Sequence, residues 1–308
     1  VSVTGAQGVL VLGGPTASGK TAAAIFLAER YGAEIVGADS RQIYRDMPVG
    51  TAAPTADERA RVPHHLCAFL DPRERYSAAR FAHDALAAIA DITARGRRAI
   101  VAGGTGFYVR ALCGDVTLSP AYDADVRARL VREFALHPPE VMHAWLAARD
   151  PKRAATIVPG DRYRVARALE VSLGETPARR EPQPSLRSAG IAFAKVWLTV
   201  PDDVLEARIA ARVDAMLAAG IVAEAERVGP EAVAADAVGY PQALAFAAGF
   251  ATRDELRASL IRATRRYAKR QRTWSRSEPD VTFVPCDDVA TLCGTVERRL
   301  GWSRAGCP

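Results

Sequence analysis

The chain has 308 residues, 49% of them apolar and 25% charged, with a net charge of +6. These are ordinary globular values, which exclude disordered, collagen-like and fibrous classes. The length suits one large domain or two smaller ones.

The N-terminal third alternates strand and helix patterns. Residues 9–12 form a short apolar run that reads as a strand ending at Gly13 and Gly14. Residues 20–30 read as a helix, 33–37 as a second strand and 64–70 as a third, stopped by Asp71 and Pro72. Residues 81–95 repeat apolar side chains at helical spacing, and 98–102 are another strand. This rhythm predicts a parallel sheet flanked by helices. The middle differs. Residues 123–136, 138–148 and 162–173 read as helices with no strand between them, and 174–190 is a linker rich in Pro, Arg and Ser. A strand returns at 195–200, followed by helices at 205–219 and 253–276 and a last strand at 281–285. The expected organisation is therefore an α/β core domain from 1–120 and 191–308 with an all-helical insertion at 121–190.

No apolar run approaches the roughly 20 residues that span a bilayer. The segment 1–7 lacks the basic start of a secretory signal. The five cysteines (Cys67, Cys113, Cys286, Cys293, Cys307) are scattered with no C-x-x-C pair, a pattern suited to a reducing cytoplasm. The histidines offer no metal-ligand spacing, since His64 and His65 are adjacent and do not share a helix face. One stretch is one-signed. Between Glu255 and Glu278 there is no acidic residue, yet it holds Arg257, Arg262, Arg265, Arg266, Lys269, Arg270, Arg272 and Arg276. Such a stretch is either a solvated helix face or a surface for a polyanion.

Gly14, Pro15, Thr16, Ala17, Ser18, Gly19, Lys20 and Thr21 fit G-x-x-x-x-G-K-[ST] between a strand and a helix. This is the context a phosphate-binding loop requires. Its glycines let backbone N–H groups turn inward around phosphate oxygens, and the helix N-terminus adds partial positive charge. Lys20 supplies a cation and Thr21 a hydroxyl for Mg²⁺. The fold expected is thus P-loop NTPase-like. Asp39 and Thr105 follow two other strands and should face the same cleft, because ligands bind at the carboxyl ends of parallel strands. Asp39 could hold Mg²⁺, act as a general base or cap a helix, and Thr105 could serve the site or satisfy a tight turn. Spacing does not separate these.

These residues, taken together, resemble the tRNA dimethylallyltransferase (tRNA isopentenyltransferase) family, bacterial type. Beside the loop stand Asp39-Ser40-Arg41-Gln42 through Tyr44, Val49 to Pro54, Pro63 to Leu66 and Tyr76 to Ala78. Gly103 to Tyr108, Arg162 to Glu170, Gly239-Tyr240 and Arg265 to Trp274 complete the set, in the family's order. The resemblance implies transfer of a dimethylallyl group from dimethylallyl diphosphate to N6 of adenosine 37 in tRNA, with Mg²⁺ assisting and diphosphate leaving. It implies that Asp39 accepts from the adenine amine and that Thr105 contacts the reacting region. An arginine on the helix after Pro201 would grip the diphosphate. Arg208 and Arg212, four apart on one face, both qualify, and Arg208 is preferred. The target nucleotide would lie against Asp39 to Gln42, Thr105 would also touch the tRNA, and the anticodon stem-loop would lie against Arg127, Arg162, Arg164 and Arg167. Gly239, Tyr240, Arg266, Lys269 and Arg270 extend that surface. On the basic helix, Leu260, Thr264, Tyr267, Gln271 and Trp274 recur at helical spacing and read as a packing stripe.

Two departures stand out. Ala53 replaces a lysine expected before Pro54, and Pro241 replaces a basic residue after Tyr240. The lack of a zinc-finger extension points to the bacterial type. No membrane, no obligate protein partner and a cytoplasmic monomer are expected. The competing readings are a prenyltransferase acting on free adenine nucleotides, a small-molecule kinase using ATP, and a non-catalytic RNA-binding module.

Overall fold

The computed structural model describes residues 8–118, 124–174 and 183–306. Cys307, Asp123 and the linker prolines Pro177 and Pro182 lie outside the described residues. In chain order, β1 (Val9–Gly13) leads to α1 (Lys20–Tyr31) and β2 (Ala33–Gly37). Two short helices, α2 (Pro48–Thr51) and α3 (Ala56–Arg61), precede β3 (His64–His65). Then come α4 (Ala78–Ala94), β4 (Arg98–Ala102) and α5 (Gly106–Cys113). Four helices follow: α6 (Ala124–Leu136), α7 (Pro139–Arg149), α8 (Pro151–Ala154) and α9 (Arg162–Leu173). The chain returns as β5 (Phe193–Thr199), α10 (Asp202–Ala218) and α11 (Ile221–Val228). A 3₁₀ turn at Val233–Asp236, α12 (Tyr240–Ala247) and α13 (Arg253–Ser275) come next. β6 (Val281–Pro285) and α14 (Val289–Leu300) close the described chain.

The six strands form one sheet in the order β3-β2-β4-β1-β5-β6, and every pairing is parallel. Side chains alternate faces along a strand. Leu10, Leu12, Ile100, Val196 and Leu198 meet Leu27 of α1 and Val296 of α14 on one face. Phe81, Ala85, Ile89 and Ile92 of α4 are buried and pack with β2, β4 and α5. β1 is flanked by β4 and β5, reached in opposite directions along the sheet. Its carboxyl end is therefore the switch point at which such sheets open a crevice.

The expected third strand is cut short. Only His64 and His65 pair with Ile35 and Val36. Leu66 and Ala68 take φ of +55° and +51°, which breaks the extended run. The Leu70 amide instead donates to Ile43 O, folding this segment back over the loop after β2.

The described residues fall into two compact units. Residues up to Val116 and from Gln183 onward form one, and those from Thr117 to Pro182 form the other. Residues 183–190, expected in the insertion, belong to the first unit. Leu186 is buried there and its N–H donates to Leu112 O at 2.8 Å. The second unit has its own core of Leu130, Met142, Leu146, Ile157, Val165 and Leu169. His143 Nε2 donates to Ile157 O at 2.8 Å, tying α7 to the turn before α9.

One buried charge steadies the outer strands. Glu34 on β2 is buried, accepts from Arg95 through both carboxylate oxygens, and has His65 Nε2 at 2.8 Å. The Arg95 hydrogen bonds hold the Glu34 carboxyl down to about 2, against the upward push of burial. Its folded value lies below the unperturbed 4.5, so the stabilisation is complete above that pH and is lost as pH falls through about 2. With Arg95 half-exposed and screened, Glu34→Gln should cost about 2 kcal/mol at neutral pH. Denaturant melts along a pH series should show the gap to wild type closing toward the acid end.

Candidate active site

β1 ends on Gly13, where a Cβ would lie 2.0 Å from the Trp197 ring, so only glycine lets β5 pack there. Two left-handed residues then curl the loop, Ala17 at φ +63° and Gly19 at φ +86°. Glycine carries the second at no cost, whereas Ala17 stores strain of a kind that recurs at functional sites. Gly14 also needs its missing side chain, since a Cβ would meet Ser18 Oγ at 2.7 Å. Gly19 is the N-cap of α1, and no side chain caps it. The first amides of α1 are thus left for a ligand. Ser18 Oγ is buried and has no hydrogen-bond partner among the described residues. An orphaned hydroxyl beside uncapped amides is the expected signature of an anion seat.

The loop borders a cavity of about 830 Å³ at the carboxyl ends of the strands. Thr16 to Thr21, Asp39 to Gln42, Arg212, Gly239 and Arg270 all line it. Lys20 Nζ donates to Pro15 O at 3.1 Å. Burial pushes its ammonium down to about 8; Asp39 opposes this and Arg212 adds to it. Burial likewise lowers Arg212 from its ordinary value, with Asp39 and Tyr267 opposing. Lys20 and Arg212, both half-buried, therefore share the cavity with the Asp39 carboxylate, and Glu58 and Asp236 also line it.

Asp39 does not cap a helix. The segment after it is a turn, and its Oδ1 accepts from Arg41 N–H at 2.9 Å. Thr105 stands behind the site. Its Oγ1 accepts from Ser40 N–H at 2.9 Å and lies 3.2 Å from Ser40 Oγ, which holds the Asp39 turn in place. The glycines around it are dictated by packing. A Cβ on Gly103 would lie 2.1 Å from Ala38 O, and one on Gly106 2.1 Å from the Trp274 ring. Gln42 is spent on structure, donating to Thr51 O and Ala52 O at 3.2 and 3.0 Å. Arg41 pairs with Asp236 at 2.9 Å.

The preference for Arg208 over Arg212 is corrected. Arg212 Nη1 donates to Thr16 Oγ1 at 2.9 Å and lines the cavity. Arg208, one turn earlier on α10, is exposed and reaches Ser18 O at 3.4 Å and Cys286 Sγ at 3.3 Å. Sharing a helix face did not mean sharing the cavity. Tyr240 is likewise no surface residue. It is wholly buried, and its hydroxyl donates to Glu224 Oε1 at 2.7 Å.

The sequence reading passed over Glu224 and took Gln271 only as a member of the packing stripe. Glu224 on α11 is buried and accepts from Val49 N–H at 2.9 Å and Gly50 N–H at 2.7 Å, besides Tyr240. It thereby caps α2, one wall of the cavity. Gln271 accepts from Thr16 N–H at 2.7 Å and donates to Gly104 O at 3.0 Å. A polar residue on a buried helix face was the signal in both cases.

The basic helix divides its charge. Arg257 binds Asp214 of α10 at 2.6 Å, and Arg265 and Arg272 bind Glu206 and Asp202. Arg262, Arg266, Lys269, Arg270 and Arg276 have no carboxylate partner among the described residues and remain exposed. Arg270 also lies over the Tyr267 ring. In the second unit, Arg167 and Arg127 lie 2.7 and 3.9 Å from Glu170, and Arg164 lies 3.5 Å from Asp161. Arg162 donates to Phe134 O and covers its ring. Among the described residues no group of three His, Cys, Asp or Glu side chains could hold a metal. A cation at the loop would draw on the Thr21 hydroxyl, Asp39 and oxygens of the ligand.

Sheet order, switch-point cavity and loop define an α/β protein of the phosphate-loop class. The IPP transferase family model matches residues 42–278. A tRNA dimethylallyltransferase of Anaeromyxobacter dehalogenans is 46% identical over 94% of this chain and 99% of its own. One of Burkholderia mallei is 45% identical over 96% of both chains. Among solved structures, the tRNA isopentenylpyrophosphate transferase of Bacillus halodurans matches with a TM-score of 0.67 at 34% identity, covering 95% of this chain and 98% of that one. A eukaryotic dimethylallyltransferase acting on tRNA matches with a TM-score of 0.73 at 26% identity, over 94% and 77%. The chain belongs to the IPP transferase family.

Two measurements test the site. Glu224→Ala strands the buried Gly50 amide, the half-buried Val49 amide and the Tyr240 phenol, and should lower stability by about 3 kcal/mol in thermal or denaturant melts. Because bound phosphate favours the Lys20 ammonium, affinity for inorganic diphosphate should weaken up to about tenfold per pH unit above the Lys20 value. Calorimetry across that range should show this slope in wild type and its absence in Lys20→Met.

Proposed function

We propose that the protein transfers a dimethylallyl group from dimethylallyl diphosphate to N6 of adenosine 37 in tRNA, releasing diphosphate. The observation that carries this reading is one cavity lined by an uncapped helix N-terminus, Lys20, Arg212 and the Asp39 carboxylate. The names of the related enzymes support the same reaction.

An exocyclic amine is a weak nucleophile because its lone pair is delocalised into the ring. Asp39, held by its own turn and by Thr105 through Ser40, accepts a hydrogen bond from that amine. As the new C–N bond forms at the allylic carbon, the C–O bond breaks and both electrons leave with the diphosphate. Asp39 then takes the proton. Lys20, Arg212 and the α1 amides stabilise the charge that builds on the leaving group. Thr21 and Asp39 are hard oxygen donors of the kind Mg²⁺ prefers, and that ion would add further charge neutralisation when bound. The target base leaves its stack to reach Asp39. The unpaired cations of α13 are suited to the neighbouring phosphates, which makes binding salt-dependent. Arg127, Arg162, Arg164 and Arg167 of the second unit are read as tRNA-binding in their own right. No helix among the described residues is long and apolar enough to cross a membrane. We read the enzyme as a cytoplasmic monomer, where tRNA is its substrate.

Incubation with Mg²⁺ and radiolabelled dimethylallyl diphosphate should place label in unmodified tRNA and not in AMP. Label in AMP would move the protein to the free-nucleotide enzymes, and ATP turnover without label transfer would make it a kinase. Asp39→Asn should lower kcat by about 100- to 10,000-fold with the diphosphate KM little changed. Full activity in that variant would overturn the assignment of Asp39.

A further inference from the structure

Gln271 lies in the packing stripe of α13 and is 5% exposed, yet both ends of its amide are committed. Oε1 accepts from Thr16 N–H at 2.7 Å, and Nε2 donates to Gly104 O at 3.0 Å. The approach is so close that a Cβ on Gly104 would lie 2.2 Å from Nε2. Thr16 is held a second time, by Arg212 on its hydroxyl at 2.9 Å. The phosphate loop is thus fastened to α13 and α10 at one residue. Gly104 precedes Thr105, whose hydroxyl holds Ser40 beside Asp39. A continuous chain of contacts therefore runs from the loop that seats the leaving group to the turn that carries the carboxylate, and Gln271 is its central link.

We propose that Gln271 is a positioning residue for the transfer reaction. It clamps the phosphate loop to the loop after β4 and so sets the separation between the diphosphate and the amine held by Asp39. This rests on the prenyl-transfer reading. In-line displacement is sensitive to that separation, and misplacement by about 1 Å can cost a hundredfold in rate. Loss of the clamp should lower kcat and raise the KM for dimethylallyl diphosphate. It should leave the KM for tRNA unchanged, because no RNA contact is removed.

Glu and Gln have the same shape, which makes the clamp testable by pH. The carboxylate of Gln271→Glu can accept from Thr16 but has no hydrogen to give Gly104 O. Its protonated form can do both. The titratable and charged groups that line the cavity with Gln271 are Lys20 of the loop, Asp39 and Arg41 after β2, Glu58 of α3, Arg212 of α10, Asp236, and Tyr267 and Arg270 on α13. Rates are therefore compared with wild type at each pH, which cancels the titration of Lys20. At about pH 8, kcat/KM for dimethylallyl diphosphate in Gln271→Glu should be about 10- to 100-fold below wild type, and the deficit should shrink as pH falls toward about 6. Gln271→Met, with no hydrogen bonds to offer, should show a pH-independent deficit. Gly104→Ala displaces the amide without altering Gln271, and should reproduce the lower kcat and higher diphosphate KM. It decides the matter if the Gln271 variants fail to fold. A Gln271→Glu enzyme that tracks wild type at every pH, or a Gly104→Ala enzyme with wild-type kcat and KM, removes the clamp while leaving the reaction assigned. A wild-type protein that transfers no label removes both readings together.

Discussion

The uncapped N-terminus of α1 is the constraint around which the first unit is arranged. Its amides need an acceptor, and Gly19 offers none from a side chain. Placing that helix end at the carboxyl edge of β1, between strands reached in opposite directions, turns an unsatisfied end into an anion seat. Lys20 and Arg212 strengthen the seat, and each is held there against the pull of desolvation. Asp39 is the counterweight. Its charge opposes the effect of burial on both cations.

Around that seat, second-layer contacts do the shaping. Thr105 holds Ser40, Gln42 holds the chain near Thr51, and Glu224 holds Val49 and Gly50. Thr105 and Gln42 brace the loop after β2, and Glu224 ties α2 to α11, so the loop and helical parts of the lining are both held from outside the cavity. The same economy governs the basic helix. Arg257, Arg265 and Arg272 fasten α13 to α10, and the other cations stay exposed without a carboxylate partner among the described residues. The helix is therefore both a structural wall and a charged surface. Gln271 belongs to the first role and Arg270 to the second.

Much of this was legible in residue order. Strands 33–37, 98–102 and 281–285 were read to the residue, because each is a short apolar run closed by a turn residue. The phosphate loop was legible because its chemistry demands glycines and a lysine at fixed spacing. Illegible were the features that depend on a partner far along the chain. The third strand failed because Leu66 and Ala68 adopt positive φ, a conformation their residue types do not advertise. Tyr240 read as surface because its partner Glu224 is in another helix. Helices α11, α12 and α14 went unread because each is short or interrupted by glycine or proline.

Local pattern and spacing by themselves determined the α/β class, the seat for phosphate and the family resemblance, because these are encoded in neighbouring residues. Tertiary structure alone decided which arginine enters the cavity, which polar side chains brace it and which cations stay unpaired. Arg208 and Arg212 are equivalent on a helical wheel; only the position of α10 against the loop separates them. Gln271 is one member of a packing stripe until α13 is laid across Thr16 and Gly104, residues more than 150 positions away. Such pairings are set by the packing of the whole core, which no short window of sequence contains.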